Sequence, residues 1–176
     1  ISTIVVFATD GNSGEAVVSY AVSGQSNEYL LHDMRNAGTF IKNSNNRGGD
    51  LADGLTTFNI FSSRWASAGG TLTHHKNGTQ INSGTISNGA SITNRGSLVI
   101  GGEQDAVDGG YVANQDLNGK IAEIIIYNKY LNDAERIILE NYLSQKYNIT
   151  IGNDYFGNHA SFNAGYVQDL VGIGTV

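Results

Sequence analysis

The chain has 176 residues with no cysteine, no proline, a single tryptophan and a single methionine. No apolar run approaches the ~20 residues that a membrane-spanning helix needs, so membrane insertion is not expected. Without cysteine there are no disulfide staples and no thiolate metal ligands, which excludes structural zinc of the cysteine type. The compartment stays open on this ground, because exported domains can also lack cysteine. Without proline, turn formation falls to Asn, Asp and the 23 glycines. Positive charge is also scarce: ten Lys and Arg, scattered singly, stand against sixteen Asp and Glu for a net charge of −6. No basic stripe exists to neutralise phosphates, so nucleic acid is not an expected partner. No charged-then-apolar leader opens the chain, and it starts at Ile1 rather than Met, so it is expected to be one module with neighbouring domains in a longer polypeptide.

At 40% hydrophobic and 15% charged residues, the composition suits one domain with a substantial core. Short β-branched and apolar runs alternate with turn clusters. Strands are expected over residues 2–8, 15–22, 28–32, 38–42 and 57–63, with residues 23–27 as a turn and residues 43–54 as a polar loop. Trp65 reads as a core anchor, with a sugar platform as the alternative. Asn77-Gly78 between residues 71–76 and 79–81 is the dipeptide that a two-residue type I′ hairpin requires. His74 and His75 on this hairpin must point to opposite faces, so they cannot jointly clamp a metal. Residues 82–96 form a second polar connection, anchored by Ile86 and Ile92. The Asn77 and Asn148 glycosylation patterns are the chance matches expected in an Asn-rich chain.

One helix is clear. Asn132 is placed to cap it, Glu135 completes a capping box, and Ile138, Leu139, Tyr142 and Leu143 recur at helical spacing as the face expected to dock. Residues 1–148 are expected to form the domain. Residues 149–176 are expected to be a tail, a closing strand at residues 170–174 or the start of a following module, with Tyr155, Phe156, Phe162 and Tyr166 as possible anchors.

The most informative stretch is LVIGGEQDAVDGGYVANQDLNGKIAEIIIY, residues 98–127. Two strand-like runs flank a Gly-rich segment carrying Glu103, Gln104, Asp105, Asp108, Gln115 and Asp116. Ca²⁺ takes six to eight oxygen ligands, and a flexible loop of this composition can gather them. A solvated acidic surface loop is the alternative. Tyr111, Asp50 and Asp53 are candidate ligand contacts if they converge beside this loop.

Short strands with Gly and Asn turns argue for an all-β sandwich or jelly roll. Four segments give that class a family. VVSYAVSGQSNEYLLH at residues 17–32, FNIFSSRWASAGGTLTHHKNGTQ at 58–80, LVIGGEQDAVDGG at 98–110 and QDLNGKIAEIIIYNKYLNDAE at 115–135 resemble the laminin-G-like and pentraxin branch of concanavalin A-like jelly rolls. The resemblance implies a jelly-roll β-sandwich with one C-terminal helix. It also implies Ca²⁺ at Asn27, Glu103, Gln104 through its backbone carbonyl, and Asp105, with Gln115 on a second ion. Ser26 and Val112 stand where acidic ligands are usual, so the second site depends on Asp108 substituting. The disulfide that joins the sheets in pentraxins is absent, with Ser62 and Val5 or Val6 near its place.

Such modules are implied to be extracellular or at the cell surface. They act as non-catalytic calcium-dependent carbohydrate-binding units within larger bacterial adhesins or polysaccharide-processing proteins, meeting a glycan or cell-surface ligand. A structural spacer or protein-interaction domain of a surface adhesin explains the same residues. A concanavalin A-like glycoside hydrolase would need carboxylates alternating on one strand, about 5–5.5 Å apart for retention, and Glu103, Asp105 and Asp108 match that pattern incompletely.

Overall fold

The run STIVVFAT, Ser2–Thr9 (β1), is buried at every position, which explains why it is continuously apolar or small rather than alternating. It is an interior strand of a sheet with apolar layers on both sides. Val5 and Phe7 face the interior between two sheets, and Ile4 and Val6 face outward into a second apolar cluster under the helix. In the computed structural model, which describes residues 1–11 and 14–155, ten strands, one α-helix and a short 3-10 turn at Ala68–Gly70 account for this arrangement.

After β1 come β2 (Ala16–Val22), β3 (Gln25–His32), β4 (Gly38–Ile41), β5 (Ser44–Asn46) and β6 (Asn59–Trp65). Then follow β7 (Thr71–Lys76), β8 (Thr79–Thr85), β9 (Ser97–Ile100), β10 (Gly119–Tyr127) and helix α1 (Asp133–Tyr147). One antiparallel sheet has the order β10-β1-β6-β7-β8 and the other β5-β4-β3-β2-β9. They stack as a sandwich around Val5, Phe7, Val18, Tyr29, Leu31, Phe61 and Leu72.

The hairpin forms as its dipeptide requires: Asn77 and Gly78 have φ of 48° and 80°. Trp65 is buried in the core, with its indole N–H donated to the Ile86 carbonyl at 2.9 Å, so it is an anchor. Most boundaries shift by one or two residues, as in β6, which runs Asn59–Trp65 rather than 57–63, and three differences have a clear cause. The residues 23–27 turn shrinks because β3 already pairs from Gln25, opposite Val22. The polar residues 82–85 extend β8, since an edge strand tolerates them while pairing with β7. Residues 44–46 form a short edge strand within the expected 43–54 loop.

These two edges, β5 and β8, are joined by the Asn82 amide donating to Asn46 Oδ1. A Cβ at Gly84 would come within 1.9 Å of the Asn46 amide nitrogen, so Gly84 permits the approach. Inside, a polar seam crosses between the sheets. Tyr29 O–H donates to Thr3 Oγ1 at 2.7 Å, and Thr39 Oγ1 contacts both Ser63 Oγ and His74 Nε2 at 2.8 Å.

The capping box of α1 is present, but of the expected face only Leu139 and Leu143 pack inward. Ile138 and Tyr142 are exposed, while Arg136, Glu140, Asn141, Leu143 and Ser144 face the sheet. The cause lies in β6, which offers Ser62 and Arg64 on that side. Ser62 Oγ donates to Glu140 Oε1 at 2.6 Å, Arg136 pairs with Glu140, and Arg64 reaches the Leu131 carbonyl at 2.9 Å and Asp133 at 2.9 Å. Burial still outweighs these partners and raises the Glu140 carboxyl above its ordinary range. Packing continues beyond Asn148. Ile151 is buried, the Gly152 N–H bonds the Asn77 carbonyl, and the Tyr155 N–H bonds Asn141 Oδ1, but the Tyr155 side chain is exposed and is not the anchor expected. Phe156, Phe162, Tyr166 and the closing strand expected at residues 170–174 lie outside the described residues.

His74 and His75 point to opposite faces, His74 into the seam and His75 toward Arg136 and Arg64. Burial depresses the His74 imidazole from 6.5 to about 4. Between those values the unfolded chain binds a proton that the folded chain refuses, so stability falls as pH drops. Urea unfolding should lose about 2–3 kcal/mol between neutral pH and about pH 4.5 from this group. A His74→Gln variant should show a flatter pH profile, and an unchanged profile would remove His74 as the cause.

Candidate functional site

Residues 101–118 carry the chain from β9 in one sheet to β10 in the other. Their two ends are tied to the same place. The Gly101 N–H bonds the Val17 carbonyl at 3.0 Å, the Leu117 N–H bonds the Gly101 carbonyl at 2.9 Å, and the Ala16 N–H bonds the Gln115 carbonyl at 3.1 Å. The oxygen-rich loop is thus clamped to the start of β2.

Gln104 is the internal post of this loop and is fully buried. Its side-chain amide donates to the Ser19 carbonyl at 3.1 Å and the Ser97 carbonyl at 2.8 Å. Its Oε1 accepts from Ser97 Oγ and from the Asp108 N–H, the latter at 3.0 Å. With the side chain so engaged, the backbone carbonyl is what Gln104 can offer a ligand. Asp108 has φ of 56°, a left-handed conformation that Asp tolerates, and its exposed carboxylate stands at the tip beside an isolated bridge between Ala106 and Gly109.

Glu103 is buried, with Oε2 3.3 Å from His32 Nε2 at the end of β3. The two are within ion-pair distance, yet their geometry makes no hydrogen bond and leaves both atoms without one. Asp105 is exposed on the crest. Asn27 Oδ1 and Gln115 Oε1 are buried and likewise lack a hydrogen-bond partner. Asn27 lies five residues from His32 on β3, about 16 Å of strand, while Glu103 sits at the His32 end. Among the described residues no three His, Asp or Glu side chains form a metal-binding group.

The other candidates lie at the same pole. Residues 50–53 pack on the turn after β1, where a Cβ at Gly11 would meet Ala52 Cβ at 2.1 Å, and the Asn118 amide at the foot of the loop bonds Asp10 at 2.7 Å. Asp50 Oδ1 accepts from the Ala52 N–H at 2.8 Å. Asp53 binds Lys76 and the Asn59 amide, and Lys76 chiefly holds its carboxyl below the ordinary range. Both aspartates thus hold their own loop. Tyr111 is 55% exposed on the acidic loop.

The carboxylate pattern that suggested a glucanase is not on a strand. Residues 103–108 are a loop whose only ladder element is the Ala106–Gly109 bridge, so Glu103, Asp105 and Asp108 do not alternate along a pleat. Sequence reasoning missed His32. A histidine ending an apolar strand carries no local signal of the loop that folds against it.

A sequence model of the Pentaxin family matches residues 2–151. No curated protein matches the chain. Among solved structures, the native heptameric SAP-like pentraxin from Limulus polyphemus superimposes with a TM-score of 0.67 at 19% identity, over 75% of this chain and 65% of that one. This chain therefore spans less than two thirds of that protein's length, and the likeness establishes a shared jelly-roll β-sandwich.

Gln104→Ala should release the loop, because it strips a buried amide and leaves the Ser19 and Ser97 carbonyls without that donor. The expected loss is about 1–3 kcal/mol in urea unfolding, with faster hydrogen exchange at the Asp108 amide. An unchanged exchange rate at Asp108 would show that Gln104 does not hold the loop.

Proposed function

Because the chain belongs to the pentaxin family, we propose that it is a non-catalytic recognition module whose acidic loop binds Ca²⁺ and uses it to engage a ligand outside the cell. The observation that carries this reading is the set of stranded oxygens. Glu103 Oε2 beside His32, and Gln115 Oε1 on the residue bonded to Ala16 across from His32, are buried without hydrogen bonds. Buried oxygens are normally satisfied, and a hard cation takes this donor type.

Glu103, Asp105 and the Gln104 carbonyl would hold a first ion and Asp108 with Gln115 a second, whereas Asn27, expected in the first set, lies about 16 Å of strand from the Glu103 end and would not share that ion. Bound Ca²⁺ would supply an open coordination position to hydroxyls or an anionic group. Ser26 and Val112, in place of the acidic ligands usual in pentraxins, lower the ligand charge and hence the affinity. The ligand we favour is a glycan, contacted by Tyr111 beside the loop of residues 50–53, whose Asp50 and Asp53 carboxylates are already bonded within the protein. The parent protein in this reading is a bacterial adhesin or polysaccharide-processing protein. A structural spacer explains the same residues, with any bound Ca²⁺ only stiffening the loop.

Thermal unfolding in EDTA and then in millimolar Ca²⁺ tests the ion. The midpoint should rise by about 3–6 °C for the parent chain and not for a Glu103→Ala/Asp105→Ala variant. No rise in the parent would reject the calcium site and leave the spacer. A glycan panel read in Ca²⁺ and in EDTA tests the ligand, and an absence of calcium-dependent binding would reject carbohydrate.

A further inference from the structure

The oxygens of the acidic loop are hard donors, but one atom in contact with them is not. His32 Nε2 lies 3.3 Å from Glu103 Oε2, and neither atom has a hydrogen bond. Calcium is served by oxygen, whereas imidazole nitrogen suits zinc and its neighbours in the first transition row. A tetrahedral zinc with bonds of about 2.0–2.1 Å places two of its ligands about 3.4 Å apart. The observed separation matches that spacing.

We infer that His32 and Glu103 form a ligand pair for a borderline divalent metal, with zinc the best fit, distinct in its nitrogen donor from the calcium set. Glu103 has a side chain only 6% exposed and a stranded Oε2, so it is already committed to the spot. The His32 ring is held edge-on against Phe40, with centroids 5.8 Å apart, and its side chain keeps 13% exposure through which an ion can enter. The pair presents two protein ligands, so water or an oxygen of a bound ligand completes the coordination. His74 and His75 do not compete, since both are buried away from this loop.

The site shares Glu103 with the calcium reading but rests on His32, so the two can fail separately. Titration calorimetry of the whole chain with zinc chloride, at constant neutral pH in a non-coordinating buffer, should show binding. His32→Phe, which keeps an aromatic ring against Phe40, should weaken zinc at least tenfold and leave the calcium-induced rise in midpoint unchanged. Asp105→Ala should do the reverse. In the parent chain zinc should also shift the His32 ¹⁵Nε2 resonance, a readout that does not depend on any variant folding. No zinc binding, zinc binding unchanged by His32→Phe, or a His32 resonance indifferent to zinc would each overturn the pair and leave the contact a simple ion pair. Zinc binding without any calcium response in the parent would sustain the pair while rejecting the calcium loop.

Discussion

The structure depends on β1 being buried from both sides. Ile4 and Val6 bury as completely as Val5 and Phe7, yet they point the opposite way. A fully buried aliphatic side chain is worth about 1.5–3 kcal/mol, so a bare outer face on this sheet would forfeit several such contributions. The segment from Leu131 through α1 to Ile151 therefore has to close over it. Ser2 fixes the entry to that segment, donating to the Lys129 carbonyl and accepting from the Leu131 N–H, both at 2.9 Å.

The cover is not a simple apolar lid. Leu131, Leu143 and Ile151 supply the apolar part, but the helix stripe between them is Arg136, Glu140, Asn141 and Ser144. Buried ion pairs contribute little net stability, because desolvation offsets much of the attraction, yet losing one partner is costly. The Arg64, Arg136, Glu140 and Ser62 network is therefore better read as a device for register.

The same logic positions the acidic loop. Edges β5 and β8 are drawn together by Asn46 and Asn82, whereas β9 and β10 are joined by the loop that runs between them. That loop cannot borrow order from a ladder, so it takes it from Gln104, whose amide bonds inward to Ser19 and Ser97. Oxygens that do not take part in this scaffolding are left over, and they are the ones a cation or ligand would use. Asp50 and Asp53 show the contrast, since their carboxylates are spent on their own loop and on Lys76.

The sequence by itself determined what depends on local chemistry. The Asn77-Gly78 turn follows from the need for positive φ, the capping box at Asn132 from orphan amides at a helix start, and the opposite faces of His74 and His75 from the strand pleat. The acidic loop was legible as a place rich in hard oxygen. Tertiary structure decided which face of α1 is inside, because helical periodicity reports where apolar residues lie and says nothing of the polar groups waiting on β6. It also decided that Asp53 belongs to Lys76, and that His32 faces Glu103 across 71 residues of chain. Contacts of that separation are set by how two sheets stack and a loop folds back, which no window of sequence contains.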